Sequence, residues 1–175
     1  VAKRVADAPI NVSIPTSVDW RTEGAVNAVK DQGQCGSCWA FSAVGVLESR
    51  YKIAKGTLYS LSEQQLVDCC RGSPYVSEGC NGGEMTDGFD YSKVKGMETE
   101  ANYPYKAYDQ ACKYDDTRVT PVKGLGHFMV PPNNALALKT EIANGPVSVA
   151  VEADTFVFQF YSGGILNSKS CGTNL

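Results

Sequence analysis

Apolar positions settle into a helical repeat only after position 37, where Ala40, Val44, Leu47 and Tyr51 form one stripe of an amphipathic helix. Ser37 stands where a capping residue belongs, and Gly56 marks the expected end. A second, shorter helix is signalled by Ser62-Glu63-Gln64-Gln65, a serine cap with a glutamine three residues on, just ahead of Leu66-Val67. Residues 71–83 turn to Gly, Ser, Pro and Asn, a composition that predicts turns, with cysteines on either flank. Helical spacing returns over 133–143 (Leu136, Leu138, Ile142) and is closed by Gly145-Pro146. Val147, Val149 and Val151 then alternate as a β-strand does. Phe156, Phe158 and Phe160 alternate again, although Gln159-Phe160-Tyr161 also suits a short turn. Residues 1–13 carry no period, and Pro9 and Pro15 bracket what reads as an extended tail or linker. The expectation is a helical first half and a mainly β second half, with the change between Cys112 and Gly145.

Composition narrows the class. A chain of 175 residues with 43% hydrophobic residues suits one globular unit or two small lobes sharing a cleft. With 16 basic against 19 acidic residues and no basic run longer than Lys3-Arg4, a nucleic-acid partner has no electrostatic footprint. No apolar stretch approaches the roughly 20 residues that span a bilayer, so no membrane role is expected. Val1-Ala2-Lys3-Arg4 lacks the apolar segment of a signal peptide, so the chain is read either as soluble inside a cell or as having lost its targeting segment.

Cysteine usage favours an oxidising history. The seven cysteines fit no paired C-x-x-C zinc pattern, so neither metal nor cofactor is called for, and an odd count leaves at least one thiol free, catalytic or paired elsewhere. Asn11-Val12-Ser13 is an N-glycosylation sequon, in agreement with secretory passage. The densest signal is Asp31-Gln32-Gly33-Gln34-Cys35-Gly36-Ser37-Cys38-Trp39-Ala40-Phe41, which places Cys38 in the first turn of the first helix. Unpaired N–H groups and the helix dipole favour an anion there, the environment in which thiols become nucleophiles. A structural disulfide with Cys35, or a thioredoxin-like redox pair, is the competing reading; the latter needs a preceding strand, and no apolar strand comes before Asp31.

Cys35-Gly36-Ser37-Cys38-Trp39 resembles the nucleophile signature of papain-like (C1 family) cysteine endopeptidases, in which the second cysteine is the reactive one. The resemblance extends to Ile14-Pro15 with Val18-Asp19-Trp20-Arg21, to Leu61-Ser62-Glu63-Gln64-Gln65-Leu66-Val67-Asp68-Cys69, to Gly79-Cys80-Asn81-Gly82-Gly83, to Asn102-Tyr103-Pro104-Tyr105 and to Gly145-Pro146-Val147-Ser148-Val149. Met85 and Ala150 are more similar to the cathepsin L branch. This resemblance implies an α+β, two-lobed papain-like fold: an extension or propeptide remnant at 1–13, a mainly helical left lobe with a crossing segment at 14–123, and a partial β-rich right lobe at 124–175.

It also implies roles. Cys38 would be the nucleophile and Gln32 an oxyanion donor beside the backbone N–H of Cys38. Gly36 and Gly83 would leave room for a substrate backbone, Asn81 and Gly82 would shape that strip, and Met85 and Ala150 would line a pocket for a bulky apolar P2 side chain. The family pattern pairs Cys35 with Cys80 and Cys69 with Cys112, with Cys69 and Cys70 open to exchange, and gives Cys171 a partner further along. The family's catalytic histidine and its orienting asparagine would follow Leu175. His127 follows Cys38 by about 90 residues, short of the roughly 130–150 that separates nucleophile and base in such enzymes, and is read as structural.

A nicked two-chain enzyme, unrecorded later residues and a genuine fragment all fit that ending. The expected partners are protein and peptide substrates, the chain's own propeptide, cystatin-like inhibitors and a second chain carrying the remaining right lobe. The expected setting is lysosomal, vacuolar or secreted, in keeping with a sequence pI near 5.2. A catalytically silent fragment or peptide-binding pseudoenzyme is the alternative.

Overall fold

The computed structural model describes residues 14–174; the tail at 1–13, with its sequon, and Leu175 lie outside the described residues. Helix α1 spans Cys38–Lys55 and ends at Gly56, whose φ of 83° closes the helix with an N–H bond to the Lys52 carbonyl. The predicted stripe faces inward: Ala40, Val44 and Leu47 are buried and Tyr51 packs against the same core. Ser37 occupies the N-cap position without capping, because its buried hydroxyl bonds the Tyr105 hydroxyl instead.

Helix α2 spans Glu63–Cys69 and is buried although it is mostly polar. Ser62 accepts from the Gln65 N–H at 2.9 Å, but the reciprocal half of the capping box is missing. The Gln65 side chain reaches across to the Gly96 carbonyl and the Glu98 N–H, while Gln64 bonds Asp68, Lys106 and Tyr108. These amides satisfy the backbone of the loops packed around α2, which is how a polar helix survives burial.

Helix α3, Met85–Lys95, was not foreseen. Its core-facing residues are Gly88, Tyr91 and Ser92, so no apolar stripe announces it. Gly88 is where α3 meets α1: a Cβ there would stand 2.8 Å from the Cβ of Ala43 and 3.2 Å from Leu66 Cδ1. Trp39, Leu61, Leu66, Val67, Cys70, Met97 and Val122 complete a core held between α1, α2 and α3.

The second half departs from expectation. Helix α4 spans Ala135–Asn144, capped by the Asn134 side chain and stopped at Gly145 as its sequence predicts. Its last carbonyls are taken by Arg50 of α1, which donates to the carbonyls of Glu141, Gly145 and Pro146 at 3.0–3.2 Å, and Trp20 Nε1 donates to the Ile142 carbonyl at 2.9 Å. The strand expected at Val147, Val149 and Val151 is not formed. Among the described residues the only β pairings are two isolated bridges, Leu61 with Thr99 and Glu98 with Val119. An extended segment becomes a strand only through a ladder, and no described segment pairs with this one. Phe156–Gln159 is instead a short helix, α5, because the N–H groups of Phe158 and Gln159 both turn back to the Thr155 carbonyl. The β-rich character read for 124–175 is therefore corrected, over the described residues 124–174, to helix and unpaired extended chain, with Leu125, Met129, Phe156, Phe160 and Ile165 largely exposed.

Candidate active site

Cys38 is the first residue of α1, exposed, with a free thiol. No side chain caps this helix; the Ala40 and Phe41 N–H groups both turn back to the Ser37 carbonyl, at 2.9 and 3.1 Å, and the thiol stands at the positive end of the helix dipole. The next residue, Trp39, is 1% exposed and donates Nε1 to the Gly79 carbonyl at 3.0 Å, tying the start of α1 to the glycine-rich loop. Disulfides join Cys35 to Cys80 and Cys69 to Cys112, which leaves Cys70 as a buried thiol and Cys171 as an exposed one. Burial raises Cys70 far above the ordinary thiol range, with Asp87 and Asp90 acting in the same direction, so it stays an inert core thiol.

Beside the disulfide, Gly36 N–H donates to the Cys80 carbonyl at 2.9 Å. A Cβ on Gly36 would lie 2.5 Å from that oxygen, so glycine is demanded by this close approach. Gly83 is constrained likewise, by Ser77 and the Trp39 ring at 2.6–2.7 Å from its Cβ direction. Both glycines are thus required by packing within the protein, a reason additional to the substrate clearance read from the sequence. Gly82 faces open space but holds φ of 113°, and its carbonyl accepts the Glu78 N–H. Asn81 is exposed in the Gly79–Asn81 turn.

The loop is braced by Ser77, Asp87 and Asp109, which carried no sequence signal of their own, and by Tyr105 from the Asn102-Tyr103-Pro104-Tyr105 segment. Asp87 accepts the N–H groups of Val76 and Ser77 and the Ser77 hydroxyl, and Ser77 Oγ accepts the Glu84 N–H. Asp109 accepts the Cys80 N–H at 2.9 Å while pairing with Arg71. Tyr105 bonds both the Ser37 hydroxyl and the Gln32 carbonyl.

Gln32 is half-buried, with Nε2 donating to the Cys35 carbonyl at 2.8 Å, which uses one of its two amide hydrogens. Met85 opens α3, partly buried against the core. Ala150 lies exposed on the extended segment that Ser148 tethers to α1 through the Ser42 carbonyl, at 3.1 Å. The structure therefore gathers Cys38, the Cys35–Cys80 disulfide and the 79–83 loop into one construction. His127, on the irregular segment ahead of α4, has its Nδ1 3.1 Å from Oδ1 of Asp90 on α3.

Comparison with known proteins agrees with this geometry. Residues 14–175 match the sequence model described as papain family cysteine protease. The chain belongs to that family. It is 48% identical over 174 residues to the digestive cysteine proteinase 2 of Homarus americanus, covering 94% of this chain and 53% of that protein. It is 47% identical over 166 residues to cathepsin L1 of Drosophila melanogaster, covering 94% and 44%. A crystal structure of a Carica candamarcensis cysteine protease in complex with E-64 is similar to it with a TM-score of 0.79 and 45% identity, over 86% of this chain and 69% of the other. The fold is accordingly papain-like. The chain spans about half the length of the curated relatives it matches.

Proposed function

We propose that Cys38 is the nucleophile of a cysteine endopeptidase. The observation that carries this is an exposed, unpaired thiol on the first residue of an uncapped α-helix, beside a loop pinned by Cys35–Cys80 and by Trp39. The thiolate adds to the scissile carbonyl. The developing oxyanion is met by the backbone N–H of Cys38 and the remaining amide hydrogen of Gln32, donors fixed before reaction begins. Collapse expels the amine and leaves a thioester on Cys38, which water then hydrolyses. The imidazole that takes the thiol proton and returns it to the amine, with its asparagine, is carried outside residues 1–175; His127 is engaged with Asp90.

The 79–83 strip receives the substrate backbone, and Met85 and Ala150 face a bulky apolar P2 residue. Residues 14–123 form the left lobe and 124–175 part of the right lobe, which a second chain or further sequence completes. Exposure of Leu125, Phe156, Phe160 and Ile165 supports that reading, since large apolar side chains left open to water favour a covering partner. Residues 1–13 are a propeptide remnant. Cystatin-like proteins are expected inhibitors, E-64 is expected to bind as it does the Carica relative, and the setting is lysosomal, vacuolar or secreted.

A catalytically silent papain-like fragment is the second reading, favoured by one observation: the sole histidine of this chain is spent on Asp90. The discriminating experiment is cleavage of fluorogenic peptides by the intact protein, with Phe, Arg or Glu at P2. The reading expects cleavage of the Phe peptide and none by Cys38→Ala. Equal turnover by Cys38→Ala refutes it.

A further inference from the structure

Asn81 and Asn144 each stand immediately before a glycine, and so does Asp87. Such pairs share a reaction: the peptide nitrogen of the glycine, with no side chain beside it, attacks the side-chain carbonyl carbon before it and closes a five-membered imide. The two groups must be free to meet, and the structure separates the three pairs on that ground. The Asp87 carboxylate is held by Val76 and Ser77, and the Cβ direction of Gly88, inside α3, presses on Ala43. Asn144 Nδ2 donates to the Thr140 carbonyl at 3.0 Å and Gly145 N–H to the Ile142 carbonyl at 3.2 Å, while Arg50 stands 2.7–2.8 Å from the Cβ direction of Gly145. Asn81 differs. It is exposed, and among the described residues its side-chain amide has no partner. Gly82 N–H reaches the Gly79 carbonyl at 3.4 Å, outside the roughly 2.7–3.2 Å of a good bond, and nothing lies within 4 Å of the Cβ direction of Gly82.

We propose that Asn81 is a self-modification site, converted through an imide with the Gly82 nitrogen into aspartyl and isoaspartyl forms. The bond from Gly82 N to Asn81 Cγ forms as the Gly82 N–H proton passes to solvent. The Cγ–Nδ2 bond then breaks, and the amide nitrogen takes up a proton and leaves as ammonia. Water opens the imide at either carbonyl, giving the aspartyl or the isoaspartyl link, with no change of oxidation state. Both products place a new carboxylate on the loop. The isoaspartyl form also adds a methylene to its backbone, in a stretch closed by the 2.9 Å bond from Glu78 N–H to the Gly82 carbonyl and pinned by Cys35–Cys80. Because the attacking nitrogen must lose its proton, acid preserves Asn81 and neutral or alkaline solution consumes it. The site lies outside the proposed reaction and stands whether or not Cys38 is a nucleophile.

The experiment is timed incubation of the folded 175-residue chain at pH 8 and at pH 5, with a reduced sample in urea at pH 8 alongside. Residues 81 and 144 are followed by peptide mass spectrometry, with isoaspartyl peptides resolved from aspartyl ones by elution. The expected result is amide-to-acid conversion at Asn81 at pH 8, slowed at pH 5. Asn144 is expected to react at least about tenfold more slowly in the folded chain, since its bond to Thr140 must break first, and to catch up with Asn81 in urea. Asn81→Gln is expected to remove the reaction at this position, because the ring it would close is larger. An Asn81 that stays intact in the folded chain at pH 8, an Asn144 that reacts as fast as Asn81 there, or equal rates for Asn81 at the two pH values overturns the proposal.

Discussion

Replacing Gly36 by alanine tests whether the site is held by backbone-to-backbone contact. The new methyl would sit 2.5 Å from the Cys80 carbonyl oxygen and 3.4 Å from its carbon, and both neighbours are backbone already tied by a disulfide. The two backbone segments must separate, which costs about 1–3 kcal/mol as overpacking. The 2.9 Å bond from Gly36 N–H to Cys80 is lost with it, at about 1 kcal/mol. The expected loss is therefore about 2–4 kcal/mol, measured by urea denaturation with the disulfides intact. Gly82→Ala is the control: nothing lies within 4 Å of its Cβ direction, so only its φ of 113° is penalised, by about 1–3 kcal/mol. The two variants also differ in where the damage falls, since Gly36→Ala should raise amide exchange on both sides of Cys35–Cys80 and Gly82→Ala only within 79–83. A Gly36→Ala protein within 0.5 kcal/mol of the parent, with unchanged exchange, refutes the reasoning.

Three further outcomes follow from the structure. Glu63 has a folded pKa of about 7 against 4.5 unfolded, so its contribution is full below pH 4.5 and is lost as pH rises through 7, roughly 3 kcal/mol in all; Glu63→Gln should flatten that part of the stability-versus-pH curve. Arg50→Met should strip the carbonyls at 141–146 of their donor and release α4, seen as lost exchange protection over 135–146 while α1 and α2 stay protected. Under native conditions a thiol reagent should titrate Cys38 and Cys171 but reach Cys70 only after denaturation; native reaction of all three thiols contradicts the burial of Cys70.

The parts of this protein legible in its sequence are those whose determinants are local. Helix α1 shows its stripe and its Gly56 stop, and α4 its apolar spacing and Gly145 stop, because periodicity and helix termination act within a few residues. Helix α3 stayed hidden because what it needs at the α1 contact is the absence of a side chain at Gly88, which reads as a helix breaker until Ala43 is known to lie opposite. The alternating valines at 147–151 misled because alternation reports a half-buried surface, whereas a strand also needs a neighbour, and Val149 and Val151 are exposed without one. Within the candidate site, the Cys35–Trp39 motif exposed the thiol and its helix. Its bracing did not show: Ser77, Asp87 and Asp109 act through contacts 10 to 29 residues apart, and Tyr105, although part of a quoted segment, reaches back 73 residues to the Gln32 carbonyl. From the sequence, Gly36 and Gly83 have a role in substrate clearance; the crowding at their Cβ directions comes from Cys80, Ser77 and Trp39, contacts which that reading did not contain.

The central claim, that the thiol at the open start of α1 is the reactive group, is tested most directly by incubating the intact protein with E-64 and mapping adducts by peptide mass spectrometry. The account predicts one equivalent on the peptide bearing Cys38 and none on Cys171, an exposed free thiol that lies outside any helix. Equal labelling of Cys38 and Cys171, or full labelling that persists in Cys38→Ala, contradicts it.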